Sequence, residues 1–256
     1  MKDLRLTLSQ TRYALLGFLR NPRAFVFTII LPLFLLIILN TIFHGLTKFI
    51  GAKTAAVYYT PAIVSYQILL AGFNSLNLSV VTDREAGMLK RFRGTPMPSW
   101  VYLASLIGRT IVVVVCAVAV LVVVGVVFYA VPISAAAVVG VVVYTLLGTV
   151  SMCALGLAAT RASPNVDTAS VVGIFPTLVL AFVSGVFVPL ALVPGWLVDI
   201  GRVFPLEYLA AGLRTAFTAA SSTGITAENV GVLVGWGLVG MAIAVRTFEW
   251  EPMGRG

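Results

Sequence analysis

Histidine, cysteine and paired carboxylates are the side chains from which most active sites are built, and this 256-residue chain offers few of them. Its single histidine, His44, has no cysteine or carboxylate nearby in sequence, whereas a metal site needs three or four converging donors. His44 follows a long apolar run, the place of an interfacial polar cap. Cys116 and Cys153 both fall within apolar runs, where a lone thiol behaves as a small hydrophobe, so neither a disulfide framework nor a metal site is indicated. Asp199 and Glu207 can be drawn as an acid–base pair, but nothing around them defines a pocket, and solvated carboxylates are the simpler reading. Gly235, Gly237 and Gly240 match a dinucleotide-loop spacing without a preceding strand, so close helix approach explains them better, as it does the G-x-x-x-G of Gly231 and Gly235. Gly51-Ala52-Lys53-Thr54 lacks the Gly-Lys-Ser/Thr core of a phosphate loop, and the sequon Asn77-Leu78-Ser79 lies inside an apolar run. We therefore assign this chain no catalytic residue, metal or bound cofactor.

Two polar groupings remain, and both point to binding. Asp83 to Pro98, DREAGMLKRFRGTPMP, is a basic, mixed-charge elbow between apolar segments; its groups would be costly in hydrocarbon, so it belongs at an aqueous face. If the preceding helix continues, Glu85, Met88, Leu89 and Phe92 share a face flanked by Arg84, Lys90, Arg91 and Arg93. Such a face can dock in a groove of a soluble partner, while the basic residues alone would bind anionic lipid headgroups. The second grouping is Gln67, Asn74, Ser75, Asn77 and Ser79, polar positions in one apolar segment. Gln67 and Asn74, seven apart, share a helix face and, with Phe73 and Phe182, form the candidate substrate cavity; hydrogen bonding between packed helices is the commoner use of such residues.

The elements that position these residues are membrane spans. The chain is 60% hydrophobic and 10% charged with mean hydropathy +1.05, against roughly 25% charged residues in soluble domains. A span takes roughly 20 apolar residues, and six segments qualify: 24–43, 58–82, 110–129, 135–160, 171–190 and 230–245. The Val-rich third is too long for a strand and reads as helix. Residues 1–23 place Leu4, Leu8, Leu15 and Leu19 at helical spacing, the pattern of an amphipathic interfacial helix; no cleavage pattern follows the first apolar run. Residues 190–220, with several prolines and Asp199, Arg202, Glu207 and Arg214, are too interrupted to span and read as a re-entrant hairpin. Of 17 Lys and Arg, only Lys48, Lys53, Arg202 and Arg214 fall on the hairpin side, which predicts both termini and the elbow (83–98) in the cytoplasm. The +8 charge is spread over juxtamembrane segments and not gathered in one module, so nucleic acid is not the expected partner. The expected fold is thus one all-α polytopic domain over residues 1–256.

The chain resembles the permease subunits of type-2 ABC transporters, including the daunorubicin-resistance type. The elbow is similar to their first cytoplasmic connection through Glu85, Gly87, Leu89, Arg91, Thr95 and Pro96. Phe175-Pro176, Ser184-Gly185, Phe187, Pro189, Pro194-Gly195-Trp196-Leu197, Pro205 and Glu207 to Arg214 resemble the family's fifth span and outward hairpin. The resemblance implies a multi-pass plasma (inner) membrane permease for multidrug or lipid export by alternating access. It implies a second permease chain, as homodimer or heterodimer, and separate ABC ATPase subunits that bind ATP and Mg, since no Walker A sequence occurs here. It makes the elbow a coupling helix, with Glu85, Met88, Leu89, Arg91 and Phe92 toward the ATPase. It places the hairpin at the outer end of the pathway, where Glu207 and Arg214 either pair or are solvated separately. The expected partners are membrane lipids and an amphipathic substrate; the alternative is a membrane scaffold or lipid-modifying protein without transport.

Overall fold

The computed structural model describes residues 2–20, 22–46, 54–93 and 99–247, and every helix and turn among them belongs to an all-α architecture. Helix α1 (Lys2–Leu19) precedes α2 (Pro22–Phe43), whose Pro32 is carried inside the helix. Helix α3 (Ala55–Leu69) passes through a π-helical segment, Leu70–Ser75, directly into α4 (Leu76–Glu85). The short α5 (Met88–Arg93) leads to the long α6 (Ser99–Tyr129), followed by α7 (Ala135–Ala159) and α8 (Val166–Val183). Helices α9 (Gly195–Gly201) and α10 (Pro205–Thr218) form the hairpin, and α11 (Ala227–Thr247) closes the described chain. Five of these stretches are long and apolar enough to cross a membrane: 55–85, 100–129, 135–162, 166–183 and 227–247; the apolar Thr28–Phe43 of α2 is a sixth, shorter one.

Burial is inverted relative to a water-soluble domain. Phe128, Phe175, Phe182, Leu238 and Val245 are exposed, while Thr60, Gln67, Asn77, Thr149 and Ser151 are buried. That distribution suits a solvent of lipid tails, in which exposed apolar groups cost nothing and polar groups retreat inward. The protein is an all-α polytopic membrane protein.

Small residues decide how closely the helices approach. Gly156 on α7 sits against the backbone of the π segment: a β-carbon there would stand 2.6 Å from the Gly72 carbonyl oxygen and 2.8 Å from that of Phe73. On α11 it is Gly237 and Gly240 that meet α7, at Ser151 and at Ala154–Leu155, whereas Gly231 and Gly235 face open space. The G-x-x-x-G pair therefore makes no close approach within this chain, contrary to its sequence reading.

The hairpin is anchored, as its interrupted sequence requires. Helix α10 buries Leu206, Leu209, Ala210, Leu213 and Ala216 completely. It runs antiparallel to α7, with Leu209 over Gly148, Tyr144 over Gly212 and Ala216 beside Gly140. Gly148 lies about 20 Å along α7 at 1.5 Å rise per residue, so the hairpin reaches past the midpoint of that span. Helix α8 ends at Val183, short of the Leu190 read from hydropathy, and a reversal follows at Gly185, whose φ of 70° suits glycine. The hydroxyl of Tyr58 donates to the Gly185 carbonyl at 2.6 Å, and Trp236 Nε1 donates to the Val203 carbonyl at 3.2 Å, tying the reversal before the hairpin and the turn between its two helices to spans.

Candidate functional site

At the elbow, one long helix gives way to two. The amide of Ala86 bonds the Thr82 carbonyl and that of Gly87 the Arg84 carbonyl, and Gly87 takes φ 70°, a left-handed helix stop. The continuous helix expected through Phe92 is thus broken, and Glu85 does not share a helix face with Met88 and Leu89. Leu89 is fully buried in the chain's own interior with Leu76, Val80, Tyr102, Leu106, Cys153, Leu157 and Ala244. It holds α5 to the bundle and is withdrawn as a docking contact. Met88 is 44% exposed and stays available. The side chains of Arg91 and Phe92, and all of Thr95 and Pro96, lie outside the described residues.

Two adjacent side chains bind this elbow to the connection between α7 and α8. Buried Arg84 donates from Nη1 to the Thr160 carbonyl at 3.4 Å and from Nη2 to the Ser163 carbonyl. These carbonyls close the C-terminal end of α7, where the helix dipole is negative. Exposed Glu85 accepts through Oε1 from the amide of Val166 at 3.3 Å, the first residue of α8, where the dipole is positive. Each charge faces the helix end of opposite sign. Deeper along α4, buried Asn77 donates to the Ala169 carbonyl at 3.2 Å, and Asn74 Oδ1 lies close over Gly173, so α4 and α8 are stitched along their length.

A cavity of about 660 Å³ opens beside the elbow, walled by α1, the π segment with α4, and α6. Asp83, Tyr102, Arg109 and Ser79 form its polar wall: Tyr102 donates its hydroxyl proton to Asp83 Oδ2 at 3.1 Å, and Arg109 Nη2 donates to Ser79 Oγ at 3.4 Å. Helix α1 seats on α6 through Thr11, whose hydroxyl donates to the Ser105 carbonyl at 3.4 Å and packs on Gly108; Leu8 and Leu19 point away, exposed. Of the four residues expected to share a cavity, only Asn74 lines this one. Gln67 is wholly buried in the main core, Phe73 packs against that core, and Phe182 is 52% exposed with its ring edge on Phe187 at 5.3 Å. The π segment between Gln67 and Asn74 changes the helical phase that made them face-mates.

In the hairpin, Arg214 Nη2 lies 4.0 Å from Glu207 Oε1, both side chains largely buried, and the guanidinium stands 5.4 Å from the ring centroid of Tyr58. This is the ion pair that the sequence left open. Asp199 instead meets Arg202 at 3.3 Å on the exposed surface, so Asp199 and Glu207 form no carboxylate pair. Cys116 is exposed and Cys153 buried. Cys116→Ala is expected to leave the melting temperature in detergent unchanged, and Cys153→Ala to lower it by the equivalent of about 1 kcal/mol for a small buried void. A larger effect at Cys116 than at Cys153 would contradict these positions.

The helical spans, the charged elbow tied to the α7–α8 connection and the hairpin make one polytopic membrane domain. The model of the ABC-2 type transporter family matches residues 6–218, and the chain belongs to that family. No curated protein matches it.

Proposed function

We propose that this chain is the permease subunit of an ATP-driven exporter, working as a dimer with ABC ATPase subunits in trans and moving an amphipathic, drug-like or lipid substrate out of the cell. The observation that carries the reading is the double tie of the elbow, Arg84 to the end of α7 and Glu85 to the start of α8. A displacement imposed on the elbow by a soluble partner would pass to two spans at once, without an intervening loop to absorb it. Met88 is the described apolar residue that such a partner would grip. The hairpin, with Glu207 and Arg214 paired within its α10, would cap the opposite, external end.

The test is reconstitution with a soluble P-loop ATPase that co-purifies with the chain. Amphipathic substrate is expected to stimulate hydrolysis, and Met88→Asp to abolish that stimulation while leaving the permease monodisperse. Cysteines placed at Ser99 and Ser221 are expected to label from opposite sides of right-side-out vesicles, Ser221 from outside. Labelling from one side would overturn the topology, and a chain that binds no ATPase would leave the scaffold reading.

A further inference from the structure

The cavity beside the elbow has a chemistry that the permease reading does not use. Residues 110–129 span about 30 Å as helix, the thickness of the hydrocarbon core, so Arg109 sits at its boundary with the headgroups. Asp83, two residues before the end of α4, lines the same wall. One cation and one anion make a wall of no net charge, and a ligand with a net charge would lose more on desolvation than this wall returns. A ligand carrying both signs matches it. The guanidinium, with one donor used on Ser79, keeps a fork suited to phosphate oxygens. The carboxylate, with one hydrogen bond from Tyr102, keeps acceptor capacity for an ammonium. The cavity volume lies within the roughly 300–1,000 Å³ of small-molecule sites. Its exposed rim of Tyr13, Thr82 and Met88 provides the mouth, while Thr28, Leu106 and Thr110 close the far side.

We propose that this cavity holds the headgroup of a zwitterionic aminophospholipid from the leaflet on the elbow side, its phosphate on Arg109 and its primary ammonium on Asp83. The inference rests on the membrane placement of the chain and not on ATP-driven export, so it is tested without an ATPase; lipid retained by a chain that does not transport would fault only the permease reading. The permease is purified from vesicles holding equal parts of phosphatidylethanolamine, phosphatidylcholine and phosphatidylglycerol, and the retained lipid is identified by native mass spectrometry. Phosphatidylethanolamine is expected to be enriched about tenfold over the other two, the scale of one charge-assisted hydrogen bond. Asp83→Asn leaves a net cation and is expected to shift retention toward phosphatidylglycerol, whereas Arg109→Gln is expected to abolish enrichment. Gly17 lines the cavity with open space where a side chain would stand, so Gly17→Phe is expected to fill it with both charges intact, losing the lipid while keeping the melting temperature. Equal retention of the three lipids by the native chain would overturn the proposal, leaving Asp83 and Arg109 to their contacts with Tyr102 and Ser79. Enrichment that survives Gly17→Phe would overturn it too, by placing the lipid elsewhere.

Discussion

Gly156→Val is expected to prevent this protein from folding into a stable bundle. The atoms that a β-carbon would meet are main-chain atoms of the π segment: the carbonyl oxygens of Gly72 and Phe73 at 2.6 and 2.8 Å and the Phe73 Cα at 3.0 Å. No rotamer change relieves a contact with backbone, so α7 must move away from the segment joining α3 and α4. That movement would open the interior around Met152, Leu69 and Tyr66, all nearly inaccessible in the native chain. Overpacking typically costs about 1–3 kcal/mol when side chains can give. Here the cost is expected at or above the top of that range, a large share of a stability of about 5–15 kcal/mol. The check is the monodisperse yield and melting temperature of the purified variant beside Gly231→Ala, whose position faces open space. Gly231→Ala is expected to behave as the native chain. Equal yields for the two variants would mean that α7 and the π segment are not held at the separation described.

The fold class was legible because lipid imposes length and apolarity on every span, and both can be counted along the chain. The hairpin was legible for the complementary reason: Pro189, Pro194 and Pro205 with four charged side chains cannot form a lipid-facing helix. What escaped was the phase and extent of helices beyond the apolar runs. Hydropathy begins the third span at Thr110, and so counts Arg109 as a loop residue that only reports topology; in the structure α6 starts at Ser99, and Arg109 becomes part of a cavity wall. A charged residue abutting an unbroken apolar run was the available signal, since an ionisable group at the edge of a span needs a partner there and is a functional candidate. The π segment gave no such sign. Its wide turn is stabilised by packing against α7 and α8, which neighbouring residues do not reveal, so the seven-residue relation of Gln67 and Asn74 could not be corrected from sequence. Leu89 was misplaced because a short amphipathic stretch shows that one face is buried without showing whether the covering surface belongs to a partner or to the chain itself.

Arg84→Met is expected to separate the elbow from the α7–α8 connection while leaving the spans assembled. Methionine keeps much of the buried length of the side chain but removes the donors that reach the Thr160 and Ser163 carbonyls. Hydrogen bonds from a charged donor contribute about 1.5–3 kcal/mol each, and both residues are almost fully buried, so water is slow to replace the lost partners. Losing the buried guanidinium also removes its own desolvation cost, which offsets part of the loss, and a net destabilisation of about 3 kcal/mol is expected. It should be local. Amide hydrogen exchange is expected to rise by more than tenfold over residues 160–170 and to stay near native values in α10 and α11. Glu85→Gln provides the internal comparison: its carboxylate is exposed and reaches a single amide at the start of α8, an interaction worth about 0.3–1 kcal/mol, so its effect is expected to be small. Arg84→Lys should fall between the two, since it retains a charge near the α7 terminus without the fork that reaches two carbonyls. On the proposed permease reading, the Arg84→Met chain reconstituted with a co-purifying P-loop ATPase is expected to bind it normally and yet lose substrate-stimulated hydrolysis, because such a partner would grip an elbow no longer tied to the spans. Native exchange over residues 160–170 together with native stimulation would show that the Arg84 contacts hold nothing that the proposed cycle uses, and would leave the bonds of Glu85 to Val166 and of Asn77 to Ala169 as the links between α4 and α8.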